Sequence, residues 1–75
     1  MKKLYSIGDL AVESGVSYHT VYLYLRRHLI KEIGMIGEDQ RVFDEESLDH
    51  LRRILALREA GKSINEIANI LGKKE

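Results

Sequence analysis

Between Ile7 and Leu25 two helical apolar patterns follow one another with only a few residues between them. Ser6 is a good N-cap with Asp9 three residues on, and Ile7, Leu10 and Ala11 fall at i, i+3 and i+4. A short helix is predicted over Ile7–Glu13. Ser14-Gly15 stops it, because glycine takes a left-handed turn conformation without the penalty a Cβ brings. Ser17 caps a second helix, with Thr20 three residues on. Val21, Tyr24 and Leu25 form one of its faces, and His19, Tyr22, Leu23 and Arg26 another. It runs to about Arg27 or His28. The turn forces the two helices to cross. Ala11 is small where the second helix passes, Gly15 permits the bend, and Val16 and Val21 fill the angle. A DNA-binding helix-turn-helix needs this pattern, and so does a helical hairpin with no ligand, so the pattern leaves both open.

After His28 the period changes. Leu29-Ile30 and Arg41-Val42-Phe43 are β-compatible, and Gly34 and Gly37 lie between them. A small hairpin is predicted, with its turn around Gly34 to Asp39. Asp44 caps a third helix, and Glu45 and Glu46 favour its positive end. Leu48, Leu51 and Leu55 form its stripe, and Gly61 ends it. Ser63, with Glu66 three on, caps a fourth helix carrying Ile64, Ile67, Ala68 and Leu71. Gly72 ends it, and Lys73-Lys74-Glu75 is a polar tail. The expected fold is mostly α, four short helices with a small β-hairpin, in one domain spanning residues 1–75.

Composition removes several function classes. With no Cys there is no disulfide, thiolate metal site or thiol nucleophile. The apolar run Ile54–Leu57 is far short of the ~20 residues that span a membrane. Lys2 and Lys3 resemble the start of a signal peptide, but Asp9 interrupts any apolar region behind them. The expected location is the cytoplasm, with no membrane partner. At 75 residues the chain has little material to wall an enzyme cleft of ~300–1,000 Å³. His19, His28 and His50 have no ligand spacing, so no metal or other cofactor is expected. Asp44, Glu45, Glu46 and Asp49 suit a helix start better than acid–base catalysis. Gly34 and Gly37 do not lead into a phosphate-binding helix. Formal net charge is zero, from 12 basic and 12 acidic residues. The N-terminal thirty residues are mildly positive, through Lys2, Lys3, Arg26 and Arg27 against Asp9 and Glu13, while the middle is acidic.

The segments Tyr5–Ala11, Gly15-Val16-Ser17, Thr20-Val21 and Tyr24 resemble the DNA-binding domain of the MerR family. Leu29-Ile30, Gln40–Phe43, Leu51, Ile54 and Leu57–Ile67 continue the resemblance over almost the whole chain. It implies a winged helix-turn-helix with the hairpin as wing, acting on double-stranded DNA in bacterial-type transcription regulation, usually as a dimer. Excisionases and small phage or plasmid regulators have a similar minimal fold. The chain departs from the family at three places. Tyr22 stands where the family has a phosphate-contacting arginine. His28 replaces the glycine before the Leu-Leu-like pair. The Pro-x-Arg entry to the wing is absent near Lys31 to Ile33. The family's long dimerisation helix and effector domain would follow Glu75. The chain by itself is therefore expected to be mostly monomeric, self-associating on DNA or through such a helix.

On this reading Tyr18 and His19 enter the major groove at the start of the second helix. Ser17 is a cap and a phosphate contact, and Tyr22 lines the groove. Arg26 and Arg27 hold phosphates beside it. Arg41 is the strongest wing phosphate contact, with Lys31 and Gln40 weaker. Leu23 lies on the same face with no assigned role. The competing reading is a helical protein-interaction module that keeps the fold and does not bind DNA. A positive face across Arg26, Arg27, Lys31 and Arg41 favours DNA, and one broken by Glu32 and Glu38 favours the alternative. An enzyme is not expected.

Overall fold

A computed structural model describes residues 3–72. Its elements are α1 (Ile7–Ser14), α2 (Tyr18–Arg26), β1 (Gly34–Ile36), β2 (Gln40–Val42), α3 (Glu45–Glu59) and α4 (Ile64–Gly72). The predicted caps form. Ser6 and Asp9 make a reciprocal capping box, and the Ser17 hydroxyl accepts from the Thr20 N–H at 3.1 Å. Ser63 and Glu66 cap each other across 2.8 and 3.1 Å. The Ser63 N–H first, then the Ser63 hydroxyl and the Lys62 charge, hold the Glu66 carboxyl below its ordinary range. Asp44 pairs in its box with Ser47.

Three helices end in the same way. The sixth residue donates back to the first carbonyl of the last turn, as Val16 to Ala11, Leu29 to Tyr24 and Lys62 to Leu57. This closure puts the residue between them in the left-handed region. Gly15 (φ 80°) and Gly61 (φ 96°) take that position after α1 and α3, and His28 (φ 63°) takes it after α2. The family glycine missing at His28 is thus the helix stop itself.

The core lies where α1, α2 and α3 meet. Leu10, Val21, Phe43, Leu51, Ile54 and Ile67 are wholly buried. Ala11 is buried under the α1–α2 crossing, with Val16 packed at its edge. Leu48, Leu51 and Ile54 are the buried members of the α3 stripe, and Leu55, expected there, is only partly covered. Ala68, on the expected apolar face of α4, is exposed. Leu29 and Ile30 are not strand: they are buried core residues of the loop after α2.

The two strands pair antiparallel, Gly34 with Val42, Met35 with Arg41 and Ile36 with Gln40. The turn is tighter than expected, Gly37–Asp39, and Gly34 belongs to β1. Tyr5 and Phe43 exchange two backbone hydrogen bonds of 2.8 Å. The Tyr5 hydroxyl donates to Glu45 Oε2 at 2.7 Å. One N-terminal residue therefore ties the entry to α1 to both the hairpin and α3, which fixes the wing relative to the helix-turn-helix. Lys2 and the Lys73–Glu75 tail lie outside the described residues. Among those described, no helix is long and apolar enough to cross a membrane.

Candidate nucleic-acid interface

The buried face of α2 is Val21, Tyr24 and Leu25. Its other side is presented outward because those three residues fix the rotation of the helix. Tyr18, the first helical residue, is 58% exposed, and Leu23 is 38% exposed. His19, Arg26 and Arg27 are also exposed. Tyr22 is half-covered and packs on the core edge. The Arg26 guanidinium lies 5.9 Å from the centre of its ring, within cation–π reach. The Ser17 hydroxyl is committed to capping and also bonds Thr20 Oγ1 at 3.0 Å.

Two clefts lie between the wing and α2. Tyr18, Gln40 and Arg41 line an open cleft of about 490 Å³, together with Asp39 and the start of α1 at Ser6, Ile7 and Gly8. The start of α1 at this border is already capped by the Asp9 carboxylate and the Ser6 hydroxyl, so Arg41 is the cationic side chain of the cleft. A second cleft shares Arg41 and is lined also by Lys31, Glu32, Leu25, His28 and Ile30. Of the nine residues singled out from sequence, Tyr18, Gln40 and Arg41 thus gather around one cleft. Lys31 joins Arg41 around the other. His19, Tyr22 and Arg26 belong to α2, and Ser17 and Arg27 are its N-cap and C-cap.

The positive field is interrupted. Arg41 Nε lies 3.6 Å from Glu32 Oε1, with about a third of each side chain exposed. Such a pair is worth only about 0–1 kcal/mol, so a phosphate can compete for the guanidinium. Asp39 stands at the rim of the first cleft, and Glu38 is exposed at the wing turn. A third cleft carries His28, His50, Asp44, Glu46 and Glu32. Among the described residues no three His, Asp or Glu side chains converge in a metal-binding arrangement.

A compact helix-turn-helix with a two-stranded wing defines the class. Residues 5–74 match the family model described as MerR HTH family regulatory protein. The chain belongs to that family. It is 34% identical over 68 residues to the mercuric resistance operon regulatory protein of Bacillus cereus, covering 91% of this chain and 52% of that protein. It is 33% identical over 66 residues to the HTH-type transcriptional regulator MerD of Acinetobacter calcoaceticus, covering 88% and 54%. Two solved structures share the fold. A MerR-family transcriptional regulator from Bacillus cereus superposes with a TM-score of 0.86 at 22% identity, over 97% of this chain and 55% of that one. HiNmlR, a MerR-family regulator lacking the sensor domain and bound to promoter DNA, gives 0.81 at 24% identity, over 91% and 52%. The chain spans about half the length of these relatives.

Proposed function

We propose that the chain binds double-stranded DNA through α2 and the wing and serves transcription regulation in the cytoplasm. The observation that carries this reading is the convergence of Tyr18 on α2 with Gln40 and Arg41 on the wing around one cleft. The outward row of α2 continues from that cleft. Tyr18 and His19 face base edges. Arg26, Arg27, Arg41 and Lys31 hold phosphates, and Tyr22 supports Arg26. The role is positional, with no catalytic step. Family membership and the two relatives named as operon or transcriptional regulators support it. Two copies seated side by side on one duplex would raise affinity without a preformed dimer.

The zero net charge and the Arg41–Glu32 pair favour the second reading, a protein-interaction module of the same fold. Fluorescence anisotropy with labelled duplexes from the region around the chain's own gene separates the two. Duplex binding that survives a large excess of single strands supports DNA recognition. No association with any duplex leaves the interaction module.

A further inference from the structure

The first two turns of α2 lack the side chains that read bases by paired hydrogen bonds. Guanine is read by Arg or Lys, adenine by Asn or Gln, and cytosine by Asp or Glu. The outward residues of the first two turns are Tyr18, His19, Tyr22 and Leu23, none of which is of these types. The arginines come later. Arg26 lies about 12 Å along the axis from Tyr18 at 1.5 Å per residue, and its guanidinium is drawn over the Tyr22 ring. Docking of this motif puts the N-terminal turns of the helix against the bases. That leaves apolar contact as the main way to discriminate. Tyr18 and Leu23 are the exposed large apolar side chains of α2, 58% and 38% accessible. Leu23 does not belong to the core cluster or to the partly buried residues packed on it.

We infer that this face of α2 reads thymine methyl groups, with Leu23 and Tyr18 as the contacting side chains. The preferred duplex is then defined by A·T pairs rather than by guanines. The inference rests on the duplex-binding reading above and names what that surface recognises. His19 adds a single hydrogen bond at a purine edge. One buried methyl is a small increment, so discrimination per base pair is modest.

The test uses the 75-residue chain and duplexes it enriches from a random pool. Each thymine is replaced in turn by deoxyuridine, which removes only the methyl. Wild type should lose about four-fold in affinity at one or two positions per site, the factor equivalent to burying one methyl group. Leu23→Ala should bind the thymine and deoxyuridine duplexes equally at its own position, and Tyr18→Ser should do so at another. The salt dependence should not change with deoxyuridine, because no charge is removed. Three results overturn the inference. Deoxyuridine has no effect at any position. A single 7-deazaguanine costs more than about ten-fold, the mark of a paired guanine contact. Leu23→Ala loses affinity yet stays as sensitive to each methyl as wild type. Failure to enrich any duplex instead defeats the duplex-binding reading itself, whereas salt-sensitive binding that ignores methyls defeats only this inference.

Discussion

His28 is the one non-glycine residue with positive φ among those described, at 63°. It closes α2 with the hydrogen bonds that Gly61 uses to close α3. His28 N–H donates to Leu25 O and Leu29 N–H to Tyr24 O, as Gly61 and Lys62 do to Arg58 and Leu57. A side chain in this region costs about 1–2 kcal/mol per residue, with histidine better tolerated than β-branched types. Glycine gives back about 0.4–1 kcal/mol through the freedom of its unfolded chain. His28→Gly should therefore stabilise the domain by a net ~0.5–1 kcal/mol. At about 4–8 °C per kcal/mol for a domain of this size, the melting point should rise by roughly 2–8 °C. Gly61→Ala is the mirror experiment. A Cβ at Gly61 meets nothing within 4 Å, so its cost is backbone strain less the same unfolded-chain gain, ~0.5–1 kcal/mol. Urea and thermal unfolding followed by circular dichroism measure both variants. A destabilised His28→Gly would refute the reasoning. It would mean that the imidazole holds a contact worth more than the strain.

Arg41→Ala should weaken binding to all duplexes alike and flatten the salt slope by about one unit, since a phosphate contact carries no base information. Glu32→Gln should do the reverse by releasing Arg41, strengthening binding about two- to four-fold with stability within ~0.5 kcal/mol; anisotropy and melting curves check both. The Tyr5 phenol is pushed up to about 12, first by its hydrogen bond to Glu45, then by burial and the Glu45 charge, against about 10 in the unfolded chain. Between those values the folded state keeps a proton the unfolded state has lost. Stability from this group is therefore full below about pH 10 and falls as pH rises toward 12. An alkaline unfolding series should show the fall in wild type and lack that component in Tyr5→Phe. By sedimentation the 75-residue chain should be monomeric at low micromolar concentration, because Ile67 is buried and Ile64 and Leu71 pack on the core. A tight dimer would place Ile70, 43% exposed, in a subunit interface.

What the sequence disclosed was local. Ser6, Ser17, Asp44 and Ser63 marked helix starts because capping is a short-range contract between residues three apart. Val21, Tyr24 and Leu25 marked the buried face of α2 because helical period decides it. The Asp44–Ser47 box was less visible, since serine at that position is not the usual Glu or Gln. What stayed hidden depended on the path of the loops. Leu29 and Ile30 look like strand, but the closure at His28 turns both into the core. Glu32 meets Arg41 across a hairpin whose three-residue strands set register only weakly. Arg26 over Tyr22 was open to inspection as an i, i+4 pair, and helical spacing could have found it. The gathering of Tyr18, Gln40 and Arg41 required the Tyr5–Phe43 bridge, a contact between residues far apart in the chain.

Duplex binding by a chain with no net charge requires Arg26, Arg27, Lys31 and Arg41 to act together on its phosphates. Its most direct test is the affinity for one enriched duplex measured across a series of salt concentrations. Arg26, Arg27, Arg41 and Lys31 neutralising about four phosphates give a slope of log K against log salt near −4. A slope near zero, or no measurable binding at low salt, would contradict the account.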